Sequence, residues 1–143
     1  MAGNKLKQTT SQQRVSKDKD KERYTKMTKK EMIEKKVNVT LNLGLVTKNF
    51  MPINKKTAMK IIALSTDCTV TECMGVYHGH VEPSFKIEIY DTTLPSAVAL
   101  AREFARTFNQ ECVTCSYKEK TVFVGDMSTN VECTEMIKEL ANQ

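Results

Sequence analysis

The chain has 143 residues, 22 Lys+Arg against 17 Asp+Glu, and a net charge of +5, which suits one domain plus an extension. It holds no run of about 18 apolar residues, which argues against a transmembrane helix, and its polar N-terminus predicts no secretory signal peptide. Five cysteines in such a chain predict free thiols in a reducing cytoplasm.

The charge is concentrated at one end. Residues 1–36 hold 12 Lys+Arg and 5 Asp+Glu, whereas residues 37–143 hold 10 and 12. With almost no large apolar side chains, residues 1–36 are expected to form a disordered basic arm, since they bury too little to offset their ordering entropy. Helix is expected only transiently over Lys26 to Lys36, with Met27, Met32 and Ile33 as apolar contacts. Lys17, Lys19, Lys21, Arg23, Lys29 and Lys30 are the arm's candidate contacts to phosphate or to an acidic protein surface. A solubilising tail is the plainer alternative.

Residues 37–143 read as one folded domain. Val37, Val39, Leu41, Leu43 and Leu45 alternate with Asn38, Thr40, Asn42 and Gly44, the period of a strand with one buried face. Gly44 marks a bulge or a close approach. After a connection containing Pro52, Asn54 can cap a helix whose stripe is Ala58, Ile61, Ile62 and Leu64, ending at Thr66 to Asp67. A strand follows over Cys68 to Tyr77. Glu72 shares the parity of its apolar residues Val70, Met74 and Val76, a local conflict.

A turn containing Gly79 and Pro83 leads into Phe85, Ile87 and Ile89, which alternate with Lys86, Glu88 and Tyr90 as a returning strand. Thr92 or Thr93 starts the next helix with Pro95 in its first turn, and Ala97, Leu100, Ala101, Phe104, Ala105 and Phe108 form its stripe. Cys112 to Tyr117 and Thr121 to Val124 are strands joined by a turn at Lys118 to Lys120. Thr129 and Glu132 have capping-box spacing before a final helix carrying Cys133, Met136, Ile137 and Leu140. This order is the split βαβ plan of a ferredoxin-like α+β sandwich: an antiparallel sheet with helices on one face and the other face open.

His78, His80 and Glu82 are the sharpest polar cluster. Residues two apart in an extended segment point the same way, and two imidazoles with a carboxylate suit zinc or iron. A solvent-exposed hairpin turn is the plainer reading. Cys112-x-x-Cys115 resembles a metal or redox spacing, but on a strand its members face opposite sides. Ordinary buried or half-buried cysteines are expected, with a four-cysteine zinc site through Cys68 and Cys73 as the residual alternative. No glycine-rich phosphate loop or nucleophile elbow is present, and no cofactor is expected. Tyr77 and Tyr90 lie where a sheet surface could stack bases, although ordinary sheet tyrosines are the better reading.

Three short motifs carry a resemblance: Glu82-Pro83-Ser84 before the alternating strand, Phe108-Asn109-Gln110-Glu111-Cys112-Val113 after the second helix, and Phe123-Val124-Gly125. Through them, about 85 residues from Val39 to Gly125 resemble small, mostly uncharacterised ferredoxin-like proteins of phage and bacterial genomes. The resemblance implies the fold and an accessory role, in the host cytoplasm if phage-encoded, and it supplies no catalytic residues.

The expected function is therefore a non-enzymatic binding or assembly module. It would bind a protein partner, or itself, through the open sheet face, with the arm adding electrostatic attraction. The first alternative is nucleic-acid binding through the arm. The second is a metal protein or enzyme centred on His78, His80 and Glu82. No membrane partner is expected.

Overall fold

The computed structural model describes residues 28–142. The arm contacts Lys17, Lys19, Lys21 and Arg23 lie outside the described residues, as does most of the segment expected to be disordered. Helix α1 spans Lys29–Glu34, within the stretch where helix was anticipated. Thr28 and Glu31 cap it reciprocally: Glu31 N–H donates to Thr28 Oγ1 at 3.1 Å, and Thr28 N–H donates to Glu31 Oε1 at 3.4 Å. Lys30 on this helix is exposed.

The domain then runs β1 Val37–Gly44, α2 Lys55–Ser65, β2 Thr69–Tyr77, β3 His80–Thr92, α3 Leu94–Thr107, β4 Cys112–Tyr117, β5 Lys120–Gly125 and α4 Asn130–Ala141. The five strands form one antiparallel sheet in the order β2-β3-β1-β4-β5. Within it, β2-β3-β1-β4 is the ferredoxin-like arrangement, as expected, and β5 extends it at one edge. Among the described residues no helix is long and apolar enough to cross a membrane.

Strands β1, β3, β4 and β5 bury one parity, apart from Ser84 on β3, whereas no residue of β2 is fully buried. Leu41 pairs with Ile87 on one side and Cys115 on the other, and Cys115 pairs with Val122. All four are buried in the core cluster, together with Ala58 and Ile62 of α2 and Leu94, Ala97, Val98, Ala101, Phe104 and Ala105 of α3. The small residues of α3 let its axis lie close to the sheet. Helix α4 adds Cys133 and Leu140 beside α3 and β5. Arg102 fixes its start, donating to Ser128 O and Asn130 Oδ1, both at 3.0 Å.

The caps follow the sequence. Asn54 Oδ1 accepts from Thr57 N–H at 2.9 Å, and Thr93 Oγ1 accepts from Ser96 N–H at 3.3 Å. Thr129 and Glu132 close a full capping box.

The structure corrects the sequence reading of the hairpin. The turn does not extend to Pro83. It is two residues, His78 at φ 50° and Gly79 at φ 83°, the left-handed pair that matches strand twist in a tight hairpin. Strand β3 therefore starts at His80, and Pro83 lies inside it opposite Met74. Pro83 O accepts from Leu45 N–H at 2.9 Å, so its backbone polar groups face β1, where that strand ends. Its missing N–H thus costs the β2 ladder nothing. Glu72 resolves in the same region. It stands on the helix side of β2, half exposed, and pairs with Lys55 in the first turn of α2 at 2.6 Å.

Candidate functional site

The second face of the sheet carries the opposite parity. A row runs across all five strands through Thr71, Lys86, Asn42, Thr114 and Phe123, and a second through Thr69, Glu88, Thr40, Ser116 and Thr121. Helices α2, α3 and α4 pack on the other side, so among the described residues none of these three covers this face, the open one. Along β3 it presents His80, Glu82, Ser84, Lys86, Glu88 and Tyr90 in turn. Tyr77, opposite His80, ends β2 on the same face.

The expected site residues divide. Tyr77, His80, Glu82 and Tyr90 share the open face. His78 does not join them, because it forms the turn itself, with its backbone in the left-handed region and its side chain exposed. Among the described residues no group of three His, Cys, Asp or Glu side chains is placed to hold a metal ion. The His78, His80 and Glu82 centre is therefore not assembled, and neither is a four-cysteine zinc site. Cys112 and Cys115 fall on opposite sides of β4, as strand parity requires. Cys115 is fully buried, and burial pushes its thiol up to about 12. Burial and the Glu111 charge raise Cys112, and burial and the Asp67 charge raise Cys68.

One residue was missed. Ser84 lies on the open face but is only 3% exposed, and among the described residues its hydroxyl has no hydrogen-bond partner. It stands between Gly44 of β1 and Cys73 of β2, with Gly75 diagonal to it. The two glycines leave a hollow in the side-chain layer, and Gln110 and Tyr77 fill it. Gln110 Oε1 lies 3.1 Å from where a Cβ on Gly44 would sit, and Tyr77 Cε2 lies 2.7 Å from where a Cβ on Gly75 would sit. Gln110 is anchored there by Nε2, which donates to Val46 O at 3.0 Å and Phe108 O at 3.1 Å. Gly44 thus marks a close approach, one of the two readings its place in the strand suggested. Tyr77 and Ser84 Oγ flank the space over Gly75 on the neighbouring strand, so the alternation of β3 alone gave no sign of the serine's burial.

A second concavity, a shallow cleft of about 360 Å³ between α2 and the start of β2, is lined by Met59, Ile62, Ala63, Thr66, Asp67, Cys68 and Val70. Its polar lining is limited to Thr66, Asp67 and Cys68, so the open face is the richer site. The hairpin's helix side is apolar and exposed at Met74, Val76 and Val81.

Two solved structures share the fold. A phage SAM lyase in complex with S-methyl-5′-thioadenosine matches at 16% identity and TM-score 0.51, over 64% of this chain and 92% of that one. A phage SAM lyase in its apo state matches at 18% identity and TM-score 0.53, over 65% and 91%. No curated protein sequence matches the chain. The model of the S-adenosylmethionine lyase family matches residues 49–140, more than half of the sequence. That match overturns the expectation of a non-enzymatic protein-binding or assembly module, because the family is one of enzymes. It also corrects the resemblance: the matched family is a named family of enzymes, not one of uncharacterised accessory proteins. Strand alternation and scattered polar residues describe the scaffold but not the chemistry, since one fold hosts many functions. By the match over residues 49–140, the chain belongs to the S-adenosylmethionine lyase family.

Proposed function

We propose that the protein is a lyase that splits S-adenosylmethionine into S-methyl-5′-thioadenosine and a four-carbon lactone. The observation that carries this reading is the family match over residues 49–140. The fold shared with phage SAM lyases, one of them holding S-methyl-5′-thioadenosine, supports it.

The bond that breaks joins the sulfonium sulfur to Cγ of the methionyl chain. The sulfur leaves with the electron pair as a neutral thioether. An oxygen of the substrate's own α-carboxylate attacks Cγ and closes a five-membered ring, homoserine lactone. The positive charge of the sulfonium and the negative charge of the carboxylate cancel in this step, so no proton, water or cofactor is consumed. Such a reaction asks the protein to fold the substrate so that carboxylate and Cγ meet, and to keep competing water away.

The open face supplies suitable groups. Glu82 and Glu88 offer negative charge to a sulfonium, and the rings of Tyr77 and Tyr90 offer the face that attracts a cation. We place the substrate against this surface of β3, with Tyr77, His80 and Glu82 at its hairpin end. The reaction would take place in the cytoplasm, where S-adenosylmethionine is made.

The test is incubation of the full chain with S-adenosylmethionine, followed by chromatography and mass spectrometry. S-methyl-5′-thioadenosine and homoserine lactone should form in equal amounts, well above a protein-free sample. Run in ¹⁸O-water, attack by water at Cγ would label the hydroxyl of homoserine, whereas lactone closure leaves that oxygen unlabelled. Product formation no faster than in the protein-free sample would sink the proposal.

A further inference from the structure

We infer that Ser84 is a ligand-binding residue stored beneath the Tyr77 ring, and that its hydroxyl hydrogen-bonds the purine base of a nucleoside once the ring moves aside. This deepens the lyase reading and rests on it.

Three observations converge. Ser84 Oγ is buried and unpartnered, an arrangement that costs stability and that an alanine would avoid. Gly75 leaves the space into which Tyr77 folds. A Cβ there would stand 2.7 Å from Tyr77 Cε2 and 3.1 Å from Ser84 Oγ, so ring and hydroxyl flank the same point. Tyr77 is nevertheless 48% exposed, at the last position of β2, so its ring has solvent to swing into.

The hollow has the shape and chemistry for a base. With glycine at 75, a flat ring can approach the sheet backbone closely once Tyr77 has moved. A hydroxyl both donates and accepts, so it can meet either a purine ring nitrogen or an exocyclic amine. The displaced Tyr77 ring offers a stacking surface. Glu82, opposite Gly75 and next to Ser84 on the same face, is placed to accept from a ribose diol.

The test compares wild type with Ser84→Ala by calorimetric titration with S-methyl-5′-thioadenosine and with adenosine, alongside thermal melting and steady-state kinetics. Ser84→Ala should melt higher than wild type yet bind both nucleosides at least tenfold more weakly, with KM raised more than kcat is lowered. A merely structural serine would not separate stability from affinity in this way. Wild type that binds S-methyl-5′-thioadenosine, with Ser84→Ala binding it equally well, overturns this inference and leaves the lyase reading standing. Wild type that neither binds it nor releases it from S-adenosylmethionine overturns both. A measurement on wild type alone is the ring resonance of Tyr77, assigned with Tyr77→Phe. It should shift on saturation with adenosine, and an unmoved resonance overturns the inference.

Discussion

Lys48 and Asp126, 78 positions apart, form an ion pair that ties the β1–α2 connection to the turn between β5 and α4. Around it, Arg106 Nε donates to Asp126 O at 3.2 Å, Lys48 N–H donates to Asn109 O at 2.8 Å, and Asn109 Nδ2 donates to Asn49 Oδ1 at 2.9 Å. The Lys48 hydrogen bond, more than its charge, holds the Asp126 carboxyl below its ordinary value. A carboxylate whose pKa is depressed by folding stabilises the fold above its unfolded value and loses that contribution as pH falls through the folded one. Asp126→Asn should therefore lower the melting temperature slightly at neutral pH and not at all at strongly acid pH. Melting curves from pH 7 down to pH 2 check this, and an effect that grew on acidification would contradict it.

Leu41 is fully buried between β3 and β4 at the centre of the sheet. Leu41→Ala should cost about 2–5 kcal/mol in urea unfolding, from lost transfer energy and an incompletely collapsed cavity. A cost under about 1 kcal/mol would place the core elsewhere.

Thr129→Ala removes the hydroxyl that accepts from Glu132 N–H at 3.1 Å. The expected loss is about 1 kcal/mol, and Thr129→Ser should recover most of it. Equal destabilisation by both substitutions would show that the methyl group, not the cap, matters.

Cysteine reactivity should follow burial. With its thiol pushed up to about 12, Cys115 should resist iodoacetamide at pH 8 in the folded protein and react only on denaturation. Peptide mass spectrometry after differential alkylation reads this directly. Cys115 labelling as fast as the partly exposed Cys73 would refute it.

On the open face, Glu82→Gln keeps size and removes charge. If this carboxylate meets the cationic substrate or its ribose, kcat/KM for S-adenosylmethionine cleavage should fall about tenfold or more, equivalent to roughly 1.4 kcal/mol of transition-state binding. Melting should change little, since the side chain is partly exposed. Unchanged kcat/KM would remove Glu82 from the site.

Much of the scaffold was legible in the chain because its signals are local. The alternation from Val37 to Leu45, the stripe from Ala97 to Phe108, and the caps at Asn54, Thr93 and Thr129 each depend on neighbours a few residues away. What escaped depends on distance. The Ser84 hollow is left by glycines on two different strands, neither of them its own, and is filled by Gln110 and Tyr77. Glu72 is explained by Lys55, a helix away. The extent of the hairpin turn was misjudged because Pro83 reads as a strand breaker until β1 is seen to end beside it. The chemistry escaped for a different reason. In the proposed reaction the nucleophile belongs to the substrate, and such a step needs no catalytic dyad, so the residues that orient it resemble ordinary polar surface.

The end of β3 has a bearing on how this chain can change. Val39 pairs with Ile89 but Val37 pairs with Thr92, so Tyr90 and Asp91 together oppose Asn38. Asp91, at φ 57°, donates its N–H to Asn38 Oδ1 at 3.1 Å. A substitution at Asp91 alters only a backbone preference that aspartate tolerates well. Losing one residue between Ile89 and Leu94 is another matter. Either Val37 leaves its partner, or α3 turns roughly 100° about its axis and lifts Leu94, Ala97 and Ala101 off the sheet. Over these few positions, length is held more tightly than residue identity, and viable relatives should differ there by exchange rather than by insertion or deletion.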